Sequence, residues 1–194
     1  RETAEQLEAW AEQLSKETML MEEALIRKPS LVKKLGLPGK ILKSIDRLSS
    51  YDRNQNIRLM RFDFHPTTDG WAVSEVNSDV PGGLAEASVL PEISSRYFSG
   101  YEPRQHVAKS LLTAFEDKVD KNSTIAFVHA TSYSDDRQVM EFLSDYFQAN
   151  GYPTVFAAPD HIAWRNRRAF CILEGKEGPI GGIVRFFPLE WLTN

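Results

Sequence analysis

The sequence predicts an α/β protein with three parts: a helical N-terminal layer, a β-hairpin, and a parallel sheet built from βαβ units. Three observations predict it. Residues 3–27 repeat apolar side chains at helical spacing. Residues 57–77 alternate with period two around a turn marked by Pro66 and Asp69-Gly70. Beyond Pro103, short apolar strand runs alternate with amphipathic helices.

Each element follows from local pattern. In residues 3–27, Leu7, Trp10, Ala11, Leu14, Met21 and Leu25 fall on one stripe, and Thr3 with Gln6 has the spacing of a capping box. Pro29 ends this helix, because the residue before a proline is pushed out of αR. Residues 30–50 hold short basic amphipathic pieces broken by Gly36, Pro38 and Gly39, and their Lys and Arg side chains read as a solvated face. Ile57, Leu59, Arg61 and Asp63 alternate with Arg58, Met60, Phe62 and Phe64 to form a strand. It turns through residues 65–70 and returns through residues 71–77. Val80-Pro81-Gly82-Gly83 is a loop before a short helix from Leu84. A helix after Pro103 carries Ala108, Leu111, Leu112, Phe115 and Val119 on one face. Residues 125–128 form a buried strand. Ser134 then caps a helix bearing Val139, Phe142, Leu143 and Tyr146, with Gly151 at its C′ position. Residues 154–158, 170–173 and 183–187 complete the strands. Strand, helix, strand in this order is a βαβ unit with a right-handed crossover. The divisions are 1–50 (helical segment), 51–100 (hairpin and Gly-Gly loop) and 101–194 (sheet half), within one compact, truncated unit.

Composition narrows the function classes. The chain has 194 residues with Lys+Arg 23 against Asp+Glu 27, a balance that argues against binding nucleic acid through bulk charge. The single cysteine, Cys171, excludes a disulfide framework and a cysteine-based zinc site within this chain. It sits in an apolar run and reads as a buried thiol. No apolar run approaches the roughly 18 residues of a membrane span, and there is no secretory h-region, so a cytoplasmic location and no membrane partner are expected. The chain starts at Arg1 and stops just after a dense apolar run, residues 183–192, which points to a segment of a longer protein. Oligomeric state has no signal in the sequence.

The hairpin is where chemistry concentrates. Period-two alternation puts Arg61 and Asp63 on one face of the first strand, and Glu75 and Asn77 on one face of the second. If the register joins those faces, one cation, two carboxylates and an amide converge. Asp63, Glu75 and Asn77 then form a hard-oxygen set suited to Mg²⁺, and Arg61 beside them suits a transferring phosphoryl group or an acyl phosphate. The plain alternative is a solvent-facing hairpin with a cross-strand Arg–Asp or Arg–Glu pair. Gly82 and Gly83 follow at once and let backbone N–H groups approach an anion, though an ordinary turn has the same composition. Elsewhere, His65, His106, His129 and His161 are scattered with no i, i+4 pair, against a histidine zinc site. Arg165-Asn166-Arg167-Arg168 beside Trp164 reads as an exposed loop, with an anion or a single strand of nucleic acid as the alternative. Ser132 and Ser134 lack the setting of a serine hydrolase.

Met60-Arg61-Phe62-Asp63-Phe64, then Gly70, Glu75-Val76-Asn77-Ser78-Asp79 and Glu86-Ala87, resemble the glutathionylspermidine synthase family of circularly permuted ATP-grasp ligases. Phe187-Pro188-Leu189-Glu190-Trp191 is similar to that family's aromatic-Pro-Trp-Glu-Trp stretch. The resemblance is strong over residues 55–95 and looser over 120–194. It implies a Rossmann-like pre-ATP-grasp domain and an ATP- and Mg²⁺-dependent carboxylate–amine ligase. In such an enzyme ATP phosphorylates a small-molecule or peptide carboxylate, and an amine attacks the acyl phosphate. By matched position, Asp63, Glu75 and Asn77 would be metal ligands, and Arg61 would steady the phosphoryl group. Two departures matter. Val80-Pro81-Gly82-Gly83 stands where polyamine-ligating members carry small hydroxyl residues, so glutathione and spermidine do not carry over as substrates. Family members are also longer, and the adenine pocket and phosphate-binding lysines would lie outside this chain, leaving it inactive alone. The rival reading is a non-catalytic peptide- or polyamine-binding module that keeps the fold.

Overall fold

The computed structural model describes residues 2–48, 51–103, 106–189 and 191. They divide into two compact units, Arg1–Asp79 with Pro188–Asn194, and Val80–Phe187. The divide falls inside the segment read from sequence as 51–100.

The first unit opens with α1 (Glu2–Ile26), which carries Glu2 and Glu5 in its first turn, where the helix dipole favours acids. The helix is already formed at Glu2, so Thr3 lies within it and the expected Thr3–Gln6 box is not its N-cap. Its inward stripe is half-buried rather than buried, and it drifts along the helix so that Met21 is exposed and Glu22 faces in. The Tyr51 hydroxyl and the Arg58 guanidinium both donate to Glu22, each at 2.7 Å, which explains an acid on the inner side. Pro29 ends α1 as expected and opens the one-turn α2 (Pro29–Val32), a position where its missing N–H costs nothing. Val32 is buried. After Gly36, in the left-handed region at φ +68°, comes α3 (Gly39–Asp46), with Ile41, Leu42 and Ile45 turned inward.

Strands β1 (Arg61–Thr67) and β2 (Gly70–Asn77) form the antiparallel hairpin. Pairing starts at Arg61 rather than at residue 57, with β2 ending opposite it at Asn77. The turn is also tighter than residues 65–70. Thr67 pairs with Gly70, and Gly70 takes φ +111°, a conformation that disfavours a side chain. The apolar side of β1 meets α1 through Phe64 and Trp10, whose ring centroids are 6.4 Å apart.

In the second unit, α4 (Leu84–Ser95) and α5 (Val107–Glu116) lead into a five-stranded sheet ordered β4-β3-β7-β6-β5. Its members are β3 (Thr124–His129), β4 (Thr154–Ala157), β5 (Ile162–Arg165), β6 (Arg168–Cys171) and β7 (Gly178–Phe186). Between β3 and β4 runs α6 (Ser134–Ala149), and the two strands are parallel, so the expected βαβ unit is present. Strand β7 is also parallel to β3, while β5 and β6 pair antiparallel to complete a mixed sheet. Ile125 and Phe127 share one face of β3 by alternation, and the ring of Phe127 meets Phe147 of α6 edge-on at 5.2 Å. Phe147 also receives Phe115 of α5 edge-on at 5.3 Å. On the other face Ala126, Val128, Val155, Cys171 and Phe187 cluster, so Cys171 is the core thiol that its neighbours suggested. Ser88, fully buried on α4, is satisfied: it donates to Leu84 O and accepts from the Ala108 N–H.

Several local expectations change here: β5 is not among the expected strands, and the strand expected at 183–187 runs from Gly178 to Phe186. Ser134 is the first residue of α6, not its cap; Tyr133 is the N-cap and provides no side-chain bond. The strand expected at 170–173 runs from 168 to 171, because its partner β5 begins at Ile162 opposite Cys171, and only the Ile172 N–H bond to His161 O carries that register one step further. Arg165 to Arg168 is not a loose loop but the end of the β5–β6 hairpin. Asn166 and Arg167 take φ +49° and +64°, as a two-residue turn of type I′ requires. Glu190 of the Phe187–Trp191 stretch, and residues 192–194, lie outside the described residues.

Candidate functional site

The register of the hairpin decides whether the polar residues meet. Arg61 lies opposite Asn77, and Asp63 opposite Glu75. Residues directly opposed across an antiparallel pair send their side chains to the same face, and residues two apart on one strand do likewise. All four therefore share one face, with Phe62 and Val76 paired on the other. Beyond Glu75 the register shifts. Phe64 pairs with Val73, so Ser74 is the extra residue of a β-bulge, and its hydroxyl donates to Asp63 O at 3.3 Å. Sequence alternation alone gives no sign of Ser74, since a bulge leaves the residue types unchanged.

Within this face Arg61 grips Asp63 with both prongs of the guanidinium. Nε donates to Oδ1 at 2.8 Å and Nη2 donates to Oδ2 at 3.0 Å. The bond from Arg61 holds the Asp63 carboxyl below its usual range, against the opposing pull of desolvation, and the charges of Arg61 and His65 add to the lowering. Arg61 is in turn held more firmly protonated, by its bond to Asp63 first and by the charges of Asp63 and Glu75 after it. One arginine thus answers two facing carboxylates. Its side chain and that of Asp63 are 41% and 30% exposed, so the cluster is open to solvent and to a ligand.

The donor set fits a hard cation. Asp63 and Glu75 supply carboxylate oxygens and Asn77 a carbonyl oxygen. Each Asp63 oxygen accepts one bond from Arg61 and retains capacity for another partner. Among the described residues no group of three or more His, Cys, Asp and Glu side chains gathers as a metal site, so the amide of Asn77 would be needed to complete one here.

Gly82 and Gly83 belong to the second unit and lead into α4. Gly83 is the N-cap, in the left-handed region at φ +82°, and a Cβ added there would meet nothing within 4 Å. Its approach is open, which a backbone cradle for an anion needs.

The chain belongs to the glutathionylspermidine synthase pre-ATP-grasp family, whose model matches residues 1–194. No curated protein matches the chain. Membership agrees with the resemblance read from the hairpin motif. It fixes an α/β pre-ATP-grasp domain and a ligase-related family. No helix among the described residues is long and apolar enough to cross a membrane.

Proposed function

We propose that this chain is the pre-ATP-grasp part of an ATP- and Mg²⁺-dependent ligase that joins a carboxylate to an amine through an acyl phosphate. The observation that carries the reading is the paired register of Arg61 with Asn77 and Asp63 with Glu75 on one open face. Asp63, Glu75 and Asn77 would hold Mg²⁺, which when bound supplies charge neutralisation for phosphate oxygens. Arg61, already oriented by Asp63, would offer donors to a transferring phosphoryl group. Gly82 and Gly83 would receive an anion on backbone N–H groups. The carboxylate substrate is a small molecule or peptide, the amine is free, and no nucleic acid takes part. The cytoplasm is the proposed location.

The test uses the full-length parent protein and Glu75→Gln, which keeps size and hydrogen-bonding capacity but removes the charge a metal needs. Amine-dependent ADP release should fall by orders of magnitude, with the melting temperature held or raised. If Glu75 is only a surface partner of Arg61, the change costs less than about 1 kcal/mol and turnover survives. Near-normal turnover at limiting Mg²⁺ defeats the assignment. The chain of residues 1–194 by itself should give no turnover, because the adenine pocket is proposed to lie outside it.

A further inference from the structure

Between Lys28 and Leu48 the sequence holds six cations, Lys28, Lys33, Lys34, Lys40, Lys43 and Arg47, against one acid, Asp46, in a chain whose net charge is −4. Local structure leaves all six exposed. Val32 is buried and anchors the 3₁₀ turn Lys33–Leu35 that follows it, whose three side chains stay in solvent. On α3 the division follows from helical spacing. Ile41, Leu42 and Ile45 turn inward, while Lys40, Lys43 and Arg47, at i, i+3 and i+7, form an exposed stripe on the opposite side that runs on into the C-cap.

This charge is not answered by neighbouring acids. Those at the end of α1 are already engaged, Glu22 by Arg58 and Tyr51, and Glu23 by Arg27 and, at 3.5 Å, by Arg53. Among the described residues none of the six cations is in an ion pair. Exposed leucines lie in the same segment: Leu31 at 38%, Leu35 at 54% and Leu48 at 51%. Single exposed leucines are ordinary, but here Leu31 and Leu35 bracket Lys33 and Lys34. No aromatic residue falls between Arg27 and Leu48, so the segment has no platform on which a nucleic-acid base could stack. Cations with leucines among them match the two layers of a membrane surface, phosphate headgroups outside and acyl chains just beneath.

We propose that Lys28–Leu48 is a docking surface for an anionic lipid bilayer. The lysines and Arg47 meet headgroup phosphates, and Leu31, Leu35 and Leu48 reach the acyl boundary. Neither signal suffices alone: a few leucines bury little area, and charge without insertion is screened by salt. Together they give reversible, peripheral attachment, which needs no spanning helix. Such attachment differs from the solvated face, and from the lack of a membrane partner, that the sequence suggests. The surface shares no residue with the hairpin cluster and stands whether or not the ligase reading holds.

The test is sedimentation of the 194-residue chain with vesicles of phosphatidylcholine alone, or with about one third phosphatidylglycerol, at about 0.1 M and about 0.5 M salt. The charged vesicles should bind the chain at least about tenfold more tightly than the neutral ones, and the higher salt should remove most of that advantage. Lys33→Gln with Lys34→Gln should weaken binding about thirtyfold, at about fivefold per charge, and Lys40→Gln with Lys43→Gln by a similar factor. Leu31→Ser with Leu35→Ser should weaken it several-fold and leave its salt dependence unchanged. Inorganic phosphate at about 10 mM, with ionic strength held constant, should leave the chain on the vesicles. Displacement by phosphate assigns the cations to the free anion and overturns the proposal. Vesicle binding indifferent to the leucine pair overturns it as well, because the surface then takes any polyanion. So does equal binding to neutral and charged vesicles, or binding to neither, and that comparison needs no variant to fold.

Discussion

The sheet of Val80–Phe187 and the hairpin of the first unit use the same kind of element to opposite ends. Strand β3 is buried along Ile125 to Val128, whereas β2 is exposed from Gly70 to Val76. In the sheet, side chains on both faces have apolar neighbours, and a buried polar group of the same unit, the Ser88 hydroxyl on α4, is satisfied. In the hairpin, one face of β1 leans on α1 through Phe64 and the other gathers charge. The buried core and the cluster of exposed charge are therefore carried by different parts of the chain, and the polar face can exchange partners without opening a core.

That contrast can be broken most sharply at Phe147. It contacts rings from α5 and β3, so Phe147→Ala should cost about 3–5 kcal/mol in urea unfolding. The matched change in the hairpin, Phe64→Ala, should cost about 1 kcal/mol, because that side chain is only half-buried. Equal costs would mean that the hairpin is as much a core as the sheet.

Gly181 gives the next largest effect. A Cβ there would come within 2.3 Å of the Ser123 Cβ, close to where the β3–β7 register shifts. Gly181→Ala should destabilise by about 1–3 kcal/mol. Adding Ser123→Gly should return part of that loss, and failure to do so would place the constraint in the backbone rather than in this contact. Glycine in the hairpin turn is needed for its φ instead, since a Cβ at Gly70 would meet nothing within 4 Å.

The smallest effects distinguish two carboxylates. Asp63 is lowered, chiefly by its bond from Arg61, so what it adds to stability is present above its unfolded value near 3.9. That contribution is lost as pH falls from there through the lower folded value. Asp136 on α6 is raised, by burial first and then by the charge of Asp135. Its contribution is favourable below about 3.9 and is lost as pH rises through the higher folded value, leaving the ionised form a cost at neutral pH. Asp63→Asn should therefore destabilise at pH 7 and Asp136→Asn should stabilise. On acidification the Asp136 difference should vanish first, above about 3.9, and the Asp63 difference below it. The same sign for both variants at pH 7 would contradict the separation.

Much of the fold was legible in the sequence because helices and strands answer to local pattern. The stripe of residues 3–27 marked α1, Pro29 marked its end, and Gly151, at φ +87°, closed α6. Period-two spacing put Arg61 with Asp63, and Glu75 with Asn77, on strand faces, and those same residues carried the resemblance that family membership bears out. The bulge at Ser74, the strand ends at Arg61 and Cys171, and the turn of two non-glycine residues at Asn166-Arg167 were not legible. Each depends on what the partner strand offers at that point.

By itself, the sequence determined most of the helices and strands, though not β5, together with the βαβ order and the polar residues available to the hairpin, because side-chain period and turn residues act over a few neighbours. Only the tertiary structure decided that Asp63 faces Glu75, that Arg61 turns to Asp63, and that His106 at the start of α5 comes within 3.8 Å of Glu92 on α4. Those outcomes are contacts between residues far apart in the chain, set by register and helix packing, for which local periodicity carries no information.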